Sequence, residues 1–217
     1  MIDEILPPAV AAVEAFADPP GATLFPEEEA VIANAVEKRR REFTTARFCA
    51  RAALAQLGLP AAPILPGLRG APRWPAGVVG SITHCAGYRA SAVARTQDLV
   101  TLGVDAEPHD VLPVGVLDMI ALADERAGLT ELRAAAPVVH WDRLLFSAKE
   151  TVYKAWFPLT QRWLGYDEAV ITFDQAGTFA ARLLVPPIVH DGRRLAGFAG
   201  RWLVRDGLLV TAIAVPR

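Results

Sequence analysis

The stretch "GVDAEPHD", residues 103–110, closes an apolar run, "DLVTLGV" (98–104), that reads as a strand heading into a core. Residues two apart in a strand point to the same face, so Asp105 and Glu107 stand side by side. Two carboxylates on one face repel each other unless a cation or water holds them. Solvated acids at a strand end are the ordinary alternative, and the stretch alone does not separate the two.

The elements around it set its context. Upstream, "YRASAVAR-TQD-LVTLGVDAE" reads as a hairpin and "VVGSITHC" (78–85) as a strand carrying His84. "PAAPILPGLRGAPRWPAG" (60–77) is a Pro/Gly-rich loop. Residues 26–58 read as one long helix, opened by Pro26 and three Glu and stopped by Gly58. Its Val36, Phe43, Ala46, Ala50, Leu54 and Leu57 recur at core-facing spacing, and Arg40, Thr44, Arg47 and Arg51 share another face. Residues 1–27 read as an irregular lead-in with a short helix around "AAVEAFA".

Downstream, a linker leads to a helix over 117–133, then to a second long helix, "VHWDRLLFSAKETVYKAWFPL", stopped by Pro158. "AVITFDQAGTFAARLLV" and "GRWLVRDGLLVTAIAVP" read as strand pairs turning at "DQAG" and "VRDG". Each half of the chain thus offers a long helix and a hairpin ending in a buried strand. This predicts an α/β (α+β) fold of two halves, 1–103 and 104–217, with a cleft between them.

The 217 residues are 53% hydrophobic and 21% charged, which excludes general disorder, and the net charge of −2 speaks against nucleic-acid binding. Cations are nevertheless concentrated in "EKRRREF" (37–43), which suits a small phosphate-bearing molecule. Cys49 and Cys85 form neither a disulfide framework nor a CxxC zinc motif. No signal peptide and no membrane-length apolar run is visible, so a cytoplasmic, membrane-free protein is expected.

In "FSAKETVYKAW", Glu150 and Lys154 are four apart and share a helix face. Alone they are an ordinary helix pair worth a few tenths of a kcal/mol. Their neighbours Leu144, Leu145, Val152 and Trp156 point to a largely buried helix, where a carboxylate needs compensation. Asp105, Glu107 and Glu150 together would make an oxygen-only site suited to Mg²⁺ or Mn²⁺. His84 reads equally well as a core histidine, and Arg39, Arg40, Arg41 and Arg47 as a solvated face. No P-loop and no GxGxxG is present.

The order of "KRRREFTTARFCAR", "GAPRWP", "GSITHC", "GVDAE" and "FSAKETVYKAW" resembles the 4′-phosphopantetheinyl transferases of the surfactin and enterobactin type, most closely the enterobactin-like branch and its actinobacterial relatives. The resemblance covers roughly residues 35–175. It implies two pseudo-twofold-related halves, each with a long helix on a small antiparallel sheet, and coenzyme A in the cleft. It implies Mg²⁺ (or Mn²⁺) on the pyrophosphate, held by Asp105 and Glu150, with Glu107 direct or through water. Donor contacts are implied for Arg39, Arg40, Arg47, Ser81, His84, Lys149 and Lys154, and catalysis for Glu150, Lys154 and Asp105. Tyr153 and Trp163 are candidates for the pantetheine arm.

The acceptor it implies is a serine of an acyl- or peptidyl-carrier protein serving polyketide, nonribosomal peptide (siderophores included) or fatty acid synthesis. The two halves would complete one cleft in a monomer. Many relatives read G-K-P where this chain has Gly70-Ala71-Pro72, and Arg69 and Arg73 are the candidates to supply the missing cation. A Mg²⁺-dependent pyrophosphate hydrolase using the same acids on water is the alternative enzyme.

Overall fold

The computed structural model describes residues 1–217. Its first sheet is three-stranded, in the order β1-β3-β2, all antiparallel: β1 is Ala11–Ala15, β2 Val78–Cys85 and β3 Tyr88–Arg95. Between β1 and β2 come α1, Pro26–Val31, and α2, Glu37–Gln56. α2 lies on the sheet through Ala50, Ala53 and Leu54, all with no solvent exposure, against Val78 and Val93.

The second sheet is five-stranded, in the order β4-β10-β9-β6-β5: β4 is Leu99–Pro108, β5 Ala169–Asp174, β6 Thr178–Leu183, β9 Gly197–Arg205 and β10 Leu208–Pro216. A separate two-stranded ribbon holds β7, Ile188–His190, and β8, Arg193–Leu195. α3, Val116–Ile120, and α4, Ala123–Ala135, precede α5, Trp141–Thr160, which crosses β4 and β10. No helix is long and apolar enough to cross a membrane.

The alternation of β4 settles its two faces. Leu102, Val104 and Ala106 bury against Ala90, Ala92 and Ala94 of β3 and even-numbered residues of β10. The odd positions face α5. Thr101 donates to the carbonyl of Ala155 at 2.8 Å. A Cβ on Gly103 would stand 2.5 Å from the Thr151 carbonyl and 2.9 Å from the Ala155 nitrogen, so only glycine lets α5 lie directly on the strand. Thr211, opposite Asp105 in the β4–β10 register, bonds the hydroxyls of Ser147 and Thr151 at 2.8 and 2.6 Å. Helix and acid-bearing strand are thereby locked together.

The outer edges of β2 and β4 face one another without a backbone ladder. Side-chain hydroxyls fill the gap: the N–H groups of Val104 and Ala106 donate to Ser81 Oγ and Thr83 Oγ1, each at 3.0 Å. Buried edge amides need such partners.

Five local expectations are corrected. "AAVEAFA" supplies β1, because after Pro7 and Pro8 the extended chain pairs with β3. The helix over 26–58 breaks at Ile32, whose carbonyl accepts from Arg40 at 2.8 Å. β3 and β4 form no hairpin: β2 and β3 do, while β4 pairs with β10. The helix over 117–133 splits at Leu122, whose N–H is capped by Glu125 at 2.8 Å. α5 passes Pro158 and ends at Thr160 with Gln161 as its cap: the proline forfeits one backbone bond, but the chain still closes the last turn from the Gln161 N–H to the Phe157 carbonyl at 2.8 Å.

Candidate active site

A cleft of about 750 Å³ opens where α2, the loop after it, β2 and α5 converge. Arg39, Arg47, Arg69, Arg73 and Lys154 line it, with Glu150 the one carboxylate. That balance suits a polyanion. A concavity of about 820 Å³ lies on the far side of the five-stranded sheet, but its charged groups are only Asp98, Asp174 and Arg201, so the first is the better match to a polyanionic ligand.

Arg47 is 7% exposed, with its guanidinium 3.6 Å above the Phe43 ring and Nε bonded to the Ile64 carbonyl at 3.2 Å. Burial, with Arg39 and Arg51 nearby, pushes it down to about 10 against the opposing pull of Glu28. It stays charged at neutral pH and gains from an anion. His84 sits at the mouth: Arg39 Nη1 is 2.9 Å from Nε2, and Glu42 3.7 Å from Nδ1. Burial first, then the cations Arg39, Lys154 and Arg89, lower its pKa, against Glu42. The neutral ring accepts from Arg39 through Nε2.

The loop carrying Arg69 and Arg73 is held on β2 by Trp74, whose Nε1 donates to the Gly80 carbonyl at 3.0 Å. A Cβ at Gly80 would collide with that indole at 2.7 Å. Arg69 adopts the left-handed conformation, φ 54°, a strained backbone of the kind held at functional sites, and its guanidinium lies 5.3 Å over Trp163. Trp163 is 58% exposed and its ring is 5.1 Å from Tyr153, so it is not a core residue. A side cavity of about 130 Å³ between these two rings shares Glu150 and Tyr153 with the main cleft. The Tyr153 hydroxyl is buried and unpartnered.

Three sequence candidates face other tasks. Lys149 is 4% exposed, ion-paired with Glu125 at 2.8 Å, and donates to the carbonyls of Tyr166 and Ala169 at 2.5 and 3.1 Å. Burial lowers its pKa and Glu125 raises it again. It braces α5 from within and touches the side cavity but not the main cleft. Arg40 is drawn to Glu29 at 2.9 Å and to the Ile32 carbonyl, where it caps a broken helix. Ser81 touches the cleft wall, but its hydroxyl is committed to β4.

The acids lie where β4 meets α5. Asp105 is 5% exposed; its Oδ1 accepts from Lys154 at 2.7 Å and from Thr83 at 3.2 Å, while its buried Oδ2 has no partner. Glu107 pairs with Arg143 at 3.1 Å. Burial, then the charge of Asp105, raise its pKa, while Arg143 and Lys154 oppose. Glu150 Oε1 accepts from the Tyr166 hydroxyl at 2.6 Å. Burial and Glu150 hold the Tyr166 proton in place, with smaller help from Asp105 and Glu107.

The expected triad is therefore not gathered as a preformed set of three ligands. Like charges in a partly buried site separate when each finds its own donor, and Lys154, Arg143 and Tyr166 are those donors. A divalent cation still fits. Mg²⁺ needs only one or two carboxylates beside substrate phosphates, and a buried carboxylate oxygen without a partner is the kind of group it satisfies. Sequence reasoning missed Thr83, Arg143 and Tyr166, because each acts on a partner distant in the chain.

Two family profiles match the chain: the 4′-phosphopantetheinyl transferase N-terminal domain over residues 27–94, and the 4′-phosphopantetheinyl transferase superfamily over 101–201. Among curated proteins, 4′-phosphopantetheinyl transferase Svp of Streptomyces mobaraensis is 59% identical over 99% of this chain and 89% of its own length. The chain belongs to the 4′-phosphopantetheinyl transferases. The transferase is also 51% identical to 4′-phosphopantetheinyl transferase PptT of Mycobacterium tuberculosis, over 99% of this chain and 98% of that one. It is 34% identical to enterobactin synthase component D of Salmonella typhi, over 83% of this chain and 74% of that one. Transferase activity on coenzyme A is the family's chemistry, and the hydrolase alternative gains no support from these matches.

Proposed function

We propose that the chain transfers 4′-phosphopantetheine from coenzyme A to a serine hydroxyl of acyl- and peptidyl-carrier proteins, as a cytoplasmic monomer, releasing adenosine 3′,5′-bisphosphate. The observation that carries this is a five-cation cleft whose Lys154 holds Asp105, a buried acid with its Oδ2 unpartnered. Arg39, Arg47 and His84 hold the nucleotide phosphates, with Arg69 and Arg73 standing in for the lysine that Ala71 lacks. Tyr153 and Trp163 flank the uncharged arm, and the Tyr153 hydroxyl is free to bond an arm amide. The division into halves belongs to this reading: 1–103 supplies most of the cations, 104–217 the acids and Lys154, and β4 carries the junction.

Asp105 and Glu150, with Glu107 beside them, would hold a divalent cation such as Mg²⁺, which would supply neutralising charge at the pyrophosphate. The chain's own groups do the rest. Glu150, whose second oxygen has no protein partner and so keeps one lone pair free beside the one that would face the cation, takes the proton of the carrier serine. The serine oxygen then forms its bond to the phosphorus bearing the pantetheine arm, and the bond from that phosphorus to the bisphosphate breaks. Lys154, anchored to Asp105 and to the Val104 carbonyl at 3.1 Å, faces the negative charge that leaves.

The test incubates apo-carrier protein, coenzyme A and Mg²⁺ with the chain and weighs the carrier. A mass gain of one phosphopantetheine on the serine supports the proposal. Release of bisphosphate with an unmodified carrier overturns it.

A further inference from the structure

The three acids share one arrangement. Each has one oxygen tied to a protein donor from a different element: Asp105 Oδ1 to Thr83 of β2, Glu107 Oε2 to Arg143 of α5's first turn, Glu150 Oε1 to Tyr166 beyond α5. None of these donors was needed for the mechanism above. Each is itself fixed from behind. Thr83 accepts the Ala106 N–H at 3.0 Å. Arg143 donates to the carbonyls of Asp110 and Val111 at 3.3 and 2.6 Å. The Tyr166 carbonyl is gripped by Lys149, which Glu125 neutralises. Glu125 in turn receives the N–H groups of Leu122 and Ile171, each at 2.8 Å. A carboxylate held by one oxygen has its rotamer set, and the second oxygen then has one direction to present.

We infer that Thr83, Arg143 and Tyr166 are positioning residues: each fixes one oxygen of Asp105, Glu107 or Glu150 and so presets the other for the divalent cation. The inference rests on the cation site proposed above. Tyr166 is the sharpest member, because a single hydroxyl makes the contact and phenylalanine removes it without changing the ring. The buried Glu125–Lys149 pair extends the device to α4, so that packing far from the cleft sets the orientation of Glu150.

The probe is Mn²⁺, with free ion read by its electron paramagnetic resonance, titrated with and without saturating coenzyme A into wild type, Asp105→Asn, Tyr166→Phe and Arg143→Gln. The expected result is about a tenfold or greater loss of Mn²⁺ affinity in Tyr166→Phe, the usual size for such outer contacts. Its kcat should fall in parallel, with unchanged metal-free coenzyme A affinity and melting temperature. Should Tyr166→Phe not fold, Arg143→Gln carries the same expectation through Glu107. Mn²⁺ affinity within about twofold of wild type in the folded variants, with Asp105→Asn strongly impaired, overturns the positioning role and leaves the cation site standing. Equal, weak binding by wild type and Asp105→Asn overturns both.

Discussion

α2 and α5 are each 20 residues long and each covers a sheet, yet they use polar groups in different ways. α2 sends Arg39 and Arg41 outward at its N-terminal end from a spine of small apolar residues, and turns Glu42, Thr45 and Arg47 inward. Its surface ions pair loosely, Arg41 with Glu37 and Asp18 at 3.6 Å and Arg39 with Glu42 at 4.0 Å. α5 carries polar groups inward: Ser147 and Thr151 on Thr211, Lys149 on Glu125. A nucleotide phosphate can be met by long side chains that swing into place. Proton transfer and phosphoryl transfer demand geometry within a fraction of an ångström. The helix that must reach is soft at its polar end, and the helix that must aim is bolted down.

Changes on the α5 side should therefore do the most damage. Glu150→Gln keeps shape and loses the base, and should lower kcat about 10²- to 10⁴-fold with an unchanged melting temperature, read by carrier mass at saturating coenzyme A. Activity near wild type would remove Glu150 from the reaction. Lys149→Met leaves Glu125 in the interior with two backbone N–H donors but no counter-ion, and should cost about 3–5 kcal/mol of stability in chemical denaturation. A loss of donor affinity with full stability would instead return Lys149 to the cleft.

On the α2 side the effects should be graded and confined to binding. Arg47→Ala should weaken coenzyme A by about tenfold or more, the cost of a charged hydrogen bond, with kcat little changed. Calorimetry with coenzyme A and its 3′-dephospho form tells which phosphate Arg47 meets. Trp163→Ala should harm coenzyme A binding a few-fold and spare adenosine 3′,5′-bisphosphate, which has no arm. Equal losses for both ligands would take Trp163 out of the arm's path.

The smallest effect is one of pH. The folded pKa of Glu107 is raised, so its contribution to stability is present in acid and declines as pH climbs through the raised value. A divalent cation opposes that decline. Added Mg²⁺ should raise the melting temperature more at pH 7.5 than at pH 5; an equal rise at both would detach Glu107 from the cation.

The acids and the helix that faces them were legible because their signals are local. Alternation put Asp105 and Glu107 on one strand face, and four-residue spacing joined Glu150 to Lys154. What the chain concealed was which oxygen goes where. Thr83 meets Asp105 across 22 positions, Arg143 meets Glu107 across 36, and Tyr166 meets Glu150 across 16. No periodicity carries such pairings. Lys149 was open to better reading: five residues from Lys154, it lies roughly 140° away around the helix, so both could not face one cleft. "AAVEAFA" misled because alanine favours a helix wherever tertiary pairing does not decide otherwise. The Pro7-Pro8 start and the free edge of β3 decided it.

The hydroxyl seam between β2 and β4 has a consequence for stability. A backbone ladder resists sliding because one step of slip breaks every rung. Here the rungs are Ser81 and Thr83, each swivelling about a single Cα–Cβ bond, above an apolar layer of 14 buried residues that attracts without direction. Two hydroxyls thus stand where a continuous sheet would carry backbone rungs, so single substitutions at Ser81 and Thr83 would leave two buried edge amides without partners.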